Sequence, residues 1–423
     1  MVRLSTEYDV VVIGAGPAGA TAAGIAAMGG LKTLLLERES FPRFHVGESL
    51  MPETYWPLQR LGIVDRVREV GFQVKESVQF VTNTGKESEP FHFREHDPRE
   101  CSQTWQVERS EFDKLLFDRA AELGAHCIDR TRVLEVLMSG DRASGVRIKD
   151  ADGETREIRS RVVIDASGQQ ALIANKLGLK EINPRLKKAA IWGYYKDAQR
   201  DPGANGGATL VMHTESKACW FWFIPQSRGL TSIGCVGDAA YLLRGRGSAE
   251  ETFAEEVARC PGLIPRLEGS TRIGELRVAK EFSYTTTQHA GEGWVLIGDA
   301  FGFIDPVYSS GVFFALEMGV RAGDAVVEGF QKNDMSAAQL GSWTDPFKAG
   351  MSRVRELVHA FYASEFSFGK FMRMFPHHRG NLTDLLIGRV FNDDAGKIFE
   401  DMRPELERAG MEASVAGAAE NLS

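Results

Sequence analysis

The stretch Tyr8-Asp9-Val10-Val11-Val12-Ile13-Gly14-Ala15-Gly16-Pro17-Ala18-Gly19 constrains this chain more than any other. A β-branched apolar run feeds directly into G-x-G-x-x-G, and Ala18–Met28 then reads as a helix. A second apolar strand, Thr33–Leu36, ends in Glu37, 18 residues beyond Gly19. The glycines allow a tight turn and the close approach of a pyrophosphate. The helix N-terminus supplies unpaired N–H groups and a partial positive charge. Glu37 stands where a ribose 2′-hydroxyl needs an acceptor, and an acid there disfavours a 2′-phosphate. The expected ligand is therefore FAD or NAD.

Glycine is 44 of 423 residues, about 10% against a usual level of roughly 7%. No repeat or low-complexity tract explains this, so some glycines are expected where a backbone meets a ligand or takes a positive φ. The length suits two to three domains of about 150 residues each. With 43% hydrophobic and 26% charged residues, the chain is not disordered. Its net charge of −8 gives no nucleic-acid footprint. The uncharged run 10–31 is too rich in glycine for a membrane span and lies too near the start for a signal peptide. Five widely spaced cysteines without C-x-x-C favour neither a disulfide framework nor a metal site. A cytoplasmic protein without a membrane span is expected.

Farther along, Pro52–Leu61 and Val64–Val70 read as helices and 80–99 as polar and strand-like. Ser110, with Asp113 three residues on, reads as the N-cap of a helix to Leu123. Val133–Arg147 and Glu154–Arg161 read as strands around the turn Asp152-Gly153. Val162–Ile164 is a buried strand running into Asp165-Ala166-Ser167-Gly168. Residues 189–236 alternate aromatic and polar, which implies an antiparallel sheet in a second domain. Trp294–Ile297 leads into Gly298-Asp299-Ala300, and a long helix starts near Ser310. Residues 343–408 read as helical, and Met411–Ser423 as a frayed tail.

Gly298-Asp299 after a strand, Arg109 in Val107-Glu108-Arg109-Ser110, and Ala166-Ser167-Gly168 occur in an order that resembles the aromatic-hydroxylase and halogenase superfamily of flavoproteins. The resemblance implies an α/β fold: a Rossmann-type FAD-binding domain, an antiparallel β substrate domain and a C-terminal helical segment. The FAD-binding domain is expected over 1–75, 103–172 and 272–330, the β domain over 76–102 and 173–271, and the helical region over 331–423. The residues expected to bind FAD are Gly14, Gly16, Ala18, Gly19, Glu37, Arg38, His45, Val46, Gly47, Arg109, Ala166, Gly168, Gly298, Asp299 and Pro306. Within that set the resemblance gives Asp299 the ribityl chain and Ala166–Gly168 the adenosine.

Three further segments resemble FAD-dependent halogenases, over roughly residues 8–330. Trp220-Phe221-Trp222-Phe223-Ile224-Pro225 matches W-x-W-x-I-P, and alternation puts both indoles on one face. The resemblance makes Trp220, Trp222 and Pro225 a wall between flavin and substrate. Phe303–Gly311 matches F-x-x-P-x-x-S-x-G, implying chloride or bromide near Ser310 and Gly311. Lys75, between the loop His45–Ser49 and the strand at Val78, falls where halogenases place their catalytic lysine. Tyr308 stands where tryptophan-halogenating members carry a glutamate. This favours the phenol- and pyrrole-halogenating branch of secondary metabolism, whose substrates include rings tethered to acyl-carrier proteins.

The expected reaction joins reduced FAD, O₂ and halide to give hypohalous acid, delivered to Lys75. No second G-x-G-x-x-G follows a strand in 170–423, so a separate flavin reductase is expected to supply FADH₂. An aromatic monooxygenase, a geranylgeranyl-reductase-like enzyme and an inactive flavin-binding protein share the FAD segments and stand as alternatives. Lys187-Lys188 and Arg353/Arg355 are candidate basic patches for an acidic partner.

Overall fold

The computed structural model describes residues 4–363 and 366–420, with the backbone alone for 184, 185, 281, 282 and 411–420. The strand Glu7–Ile13 sits inside a parallel sheet, between Thr33–Leu36 and Thr155–Asp165. His126–Ile128 and Trp294–Leu296 extend it on the two sides. Val10–Val12 and Leu34–Leu36 are fully buried, as unbroken apolar runs covered on both faces require. The helices Pro17–Met28 and Gly311–Lys332 cross closely because glycines line the contact. A Cβ on Gly319 would lie 2.6 Å from the Ala18 carbonyl oxygen, and one on Gly323 2.7 Å from Ile25 Cβ.

The segment expected as a single strand over 133–147 is a hairpin. Arg132–Ser139 and Arg142–Lys149 pair antiparallel about a turn at Gly140, whose φ is +62°. Arg142–Lys149 then pairs with Thr155–Arg159. A glycine at positive φ breaks a strand that alternation alone reads as continuous.

A second eight-stranded sheet runs Gly302–Phe303, Thr271–Thr286, Lys180–Lys196, Leu230–Asp238, Cys219–Pro225, Thr209–His213, Ser77–Val81 and Phe91–His92. It is antiparallel except for one parallel pairing, between Thr209–Met212 and Val78–Val81. Thr271–Thr286 pairs along Lys180–Lys196, so the domain boundary expected at 271/272 falls inside a strand of this sheet. The polar stretch 80–99 leaves the sheet after Val81, returns to it at Phe91–His92 and then forms a short helix, Phe93–His96.

Helices Thr344–Tyr362, Phe368–Met374, Arg379–Ile387 and Ile398–Glu420 follow. The tail expected to fray is helical as far as Glu420, and residues 421–423 lie outside the described residues. Among the described residues no helix is long and apolar enough to cross a membrane.

Candidate active site

The glycine turn is built as its spacing demands. Gly14 has φ +93°, and a Cβ there would stand 2.4 Å from the Ala166 carbonyl oxygen. A Cβ on Gly19 would meet the Gly14 carbonyl oxygen at 1.9 Å. Ala166 N donates to Ile13 O, which brings the Ala166–Gly168 segment beside the turn. Ala18 faces Gly298, whose Cβ position lies 3.0 Å from Ala18 Cβ. Gly16 caps the helix Pro17–Met28 with no side chain, and no acid stands in the first turn. Its N–H groups therefore meet an incoming pyrophosphate without competition.

Glu37 accepts from Ala15 N at 3.1 Å and Glu39 N at 3.0 Å, placing its carboxylate at the turn. Arg43 Nε lies 3.3 Å from it. Arg38 points to solvent and pairs with Glu39. The helix expected from a Ser110 cap starts at Arg109 after Glu108, with no side-chain cap. Asp113, expected to close a capping box, is instead fully buried. It accepts from Arg43 Nη1 at 3.0 Å and from Arg109 Nε at 2.7 Å and Nη2 at 2.9 Å. The pull of two guanidinium groups outweighs a capping role. Arg109 Nη1 also donates to Val46 O at 2.8 Å and Gly47 O at 3.2 Å, tying down the loop that holds His45.

Asp299 has no hydrogen-bond partner for its carboxylate among the described residues. Burial raises it to about 6, against the opposing charges of Arg109 and Lys180. A half-buried carboxylate without a protein partner beside a glycine turn suits a polyol chain, so the residues present fit a flavin nucleotide.

The strand Cys219–Pro225 is buried along its whole length. Trp220 and Trp222 join the main core with Trp192, while Phe221 and Phe223 fill a separate core with Phe253. The two indoles lie 6.3 Å apart. Trp222 Nε1 donates to Ser232 Oγ at 3.1 Å, and its ring lies over Gly234, where a Cβ would intrude to 2.2 Å. Trp220 Nε1 donates to the Tyr362 hydroxyl, which donates to Asp305 Oδ2, each at 2.9 Å. Pro306 opens the turn after Asp305.

Ser310 caps the helix Gly311–Lys332 through its backbone only, its hydroxyl making no capping bond. Ser309 precedes it at φ +58°, and a Cβ on Gly311 would meet nothing within 4 Å. Open space thus faces an uncapped helix N-terminus, which suits a halide. Tyr308 is buried between Phe80 and Phe361 and donates to Leu357 O at 3.4 Å, so it is sealed rather than poised as a base.

Lys75 is buried. Its Nζ lies 2.9 Å from Ser49 Oγ, 2.9 Å from Leu50 O and 5.7 Å from the centre of the Phe93 ring. Burial lowers its pKa to about 7. Sequence reasoning missed its surroundings. Ser49 lay in a motif but had no role, while Gln106 and Thr209 carried no local signal at all. Tyr362 and Glu48 likewise carry no local signal; Glu48 is buried and accepts from the Tyr194 hydroxyl at 2.6 Å. Of the candidate basic patches, Arg353 is tied to Val390 O, Asn392 O and Asp393. Lys188 is tied to Asp238.

Residues 7–320 match the family of FAD binding domains, and the chain belongs to that family of flavoproteins. It is 32% identical over 420 residues to the 1H-pyrrole-2-carbonyl peptidyl-carrier-protein brominase of Pseudoalteromonas luteoviolacea, covering 96% of this chain and 98% of that one. To the corresponding chlorinase of Pseudomonas fluorescens it is 28% identical over 419 residues, covering 94% and 92%. The solved flavin-dependent brominase Bmp2 matches with a TM-score of 0.86 at 30% identity, covering 95% of this chain and 100% of that one. The chain is a flavin-dependent halogenase, with FAD as its cofactor and a halide as co-substrate.

Proposed function

We propose that this halogenase acts on a pyrrole or phenol ring presented on a carrier protein, with Lys75 placing the electrophile and a separate flavin reductase supplying FADH₂. The names of the brominase and chlorinase relatives specify pyrrolyl carrier-protein substrates, and they are matched over nearly the full chain. The observation that carries the residue assignment is the Lys75 amine, buried without a carboxylate partner among the described residues.

When bound, the reduced flavin and O₂ supply the two-electron oxidation of halide to hypohalous acid. Gly14, Gly16 and Gly19 cradle the pyrophosphate, and Glu37 takes the ribose. Arg109 fixes the loop 45–48, and Asp299 takes the ribityl chain. Ser310 and Gly311 hold the halide. Trp220 and Trp222 keep the ring away from the flavin, which excludes direct hydroxylation. At Lys75 the amine nitrogen attacks the halogen of hypohalous acid. The N–halogen bond forms, the halogen–oxygen bond breaks, and water leaves with the amine proton. The ring then takes the halogen, and its displaced proton returns the amine. Selectivity comes from holding the oxidant in one place.

The test is an assay with an external FADH₂ source, O₂ and bromide or chloride. Free pyrrole-2-carboxylate, a free phenol and pyrrolyl carrier protein are offered in parallel, with Lys75→Ala as control. Halogenation of the tethered pyrrole by wild type alone is expected. Equal turnover of the free ring overturns the carrier assignment, and hydroxylated product overturns the wall. Stoichiometric NADPH oxidation by the chain alone overturns the separate reductase.

A further inference from the structure

We propose that Gln106, Thr209 and Ser49 form a one-way hydrogen-bond relay that presents a donor to Lys75 and thereby holds it as a neutral amine. The proposal rests on the reading of Lys75 as the reactive group. It assigns three positioning residues to it.

The direction of the relay follows from what each atom can do. Gln106 Nε2 lies 3.0 Å from Gly207 O. A carbonyl only accepts, so this fixes which end of the amide faces the site. The orientation is kept although Gln106 Oε1 is buried without a partner. The same Nε2 lies 2.8 Å from Thr209 Oγ1, which must therefore accept from it. Thr209 Oγ1 and Ser49 Oγ lie 2.8 Å apart, and in the relay Thr209 donates across that gap. In the neutral-amine state Ser49 accepts from Thr209 and turns its own proton to Lys75 Nζ, the reverse of the direction an ammonium imposes on the same 2.9 Å contact. A neutral amine completes the set: its lone pair takes the Ser49 proton, and one N–H goes to Leu50 O at 2.9 Å.

An ammonium has no lone pair to accept that bond. Ser49 would then accept twice and its proton would lose its acceptor, a costly outcome in a dry site. The site is dry: Lys75, Ser49 and Thr209 are each 3% exposed and Gln106 is 0%.

Charge does not account for the state of the amine. Among the titratable groups on the surrounding elements, Glu48 is engaged by Tyr194 and His96 by Asp384. His45 faces Arg43 and Arg109. Glu76 and His92 are half-buried, and Arg94 and Glu95 are exposed. None of them contributes to the lowering of the lysine, which follows its burial. The relay adds polarity to that burial.

The test titrates Lys75 directly, on ¹³C-lysine-labelled protein without substrate, following the Cε–H resonance that Lys75→Arg removes. Wild type and Thr209→Ser, which keeps the relay, are expected to titrate together near 7. Thr209→Val cuts the relay at near-constant shape, and Gln106→Glu reverses its polarity. Both are expected to titrate about one pH unit higher, which lowers the neutral fraction at pH 7 about fivefold. The rising limb of the halogenation pH profile is expected to move with them.

An unmoved titration in both variants overturns the relay. Should Thr209→Val fail to fold, the comparison of Gln106→Glu with Thr209→Ser decides. Full halogenation by Lys75→Arg overturns instead the role of Lys75, whatever the titration shows.

Discussion

Trp220 Nε1 and the Tyr362 hydroxyl lie 2.9 Å apart, joining the sheet strand Cys219–Pro225 to the end of the helix Thr344–Tyr362. The same hydroxyl reaches Asp305 in the turn before Ser310 and Gly311. Tyr362→Phe leaves the buried indole N–H without its acceptor and the Asp305 oxygen without its donor. The expected cost is about 1–3 kcal/mol, read as a lower urea midpoint. Halogenated product should fall relative to oxidant released, measured with a hypohalite trap. An unchanged midpoint would show that the bond contributes nothing.

Asp305 gives the chain a distinctive acid slope. Burial raises its carboxyl to about 6 from 3.8, against hydrogen bonds from Tyr362 and Val307. Between those values the folded chain holds a proton that the unfolded chain has released. Stability therefore falls as pH rises from about 4 to 6, and the deficit persists above. Asp305→Asn should unfold at a higher urea concentration than wild type at pH 8, with the difference vanishing near pH 4. Asp299, raised to the same region by burial, keeps part of the slope in the variant.

Lys75 carries the opposite sign. Its folded value of about 7 lies below the ordinary 10.5. Between the two the unfolded chain binds a proton that the folded chain lacks, so stability rises with pH across that window. The deficit is complete below pH 7. Lys75→Met should abolish halogenation yet melt above wild type at pH 6, the gain shrinking toward pH 10. A lower melting point for the variant at pH 6 would refute a buried, destabilising lysine.

Gly14→Ala should purify without flavin. The positive φ and the 2.4 Å approach to Ala166 O leave no room for a methyl group in the turn proposed to meet the pyrophosphate. The check is the ratio of flavin absorbance to protein absorbance, expected to fall at least tenfold.

Gly311→Ala separates halide binding from folding. A Cβ there meets no atom of the protein within 4 Å, so the melting temperature should hold. The methyl group would occupy halide space, and KM for bromide should rise about tenfold with FAD content unchanged. An unaltered KM would place the halide elsewhere.

The parts of this enzyme legible in its sequence are those encoded by contiguous residues. Gly14–Gly19 with Glu37 dictated the turn, and alternation within Trp220–Phe223 dictated which rings share a face. What sequence could not show depends on pieces far apart in the chain. The local spacing of Asp113 fits a helix cap. Its actual partners, Arg43 and Arg109, include one 70 residues away. The hairpin at Gly140 was hidden because a strand and a hairpin share the same alternation. Gln106 and Thr209 reach Lys75 only because the two-stranded ribbon of Gln73–Lys75 and Thr104–Gln106 meets the strand Thr209–His213, and nothing within either segment announces it.

The strand Cys219–Pro225 packs indoles into one core and phenyl rings into another. Anyone redesigning this enzyme to accept a larger ring therefore faces a partition that cannot be thinned on one side without loosening the other.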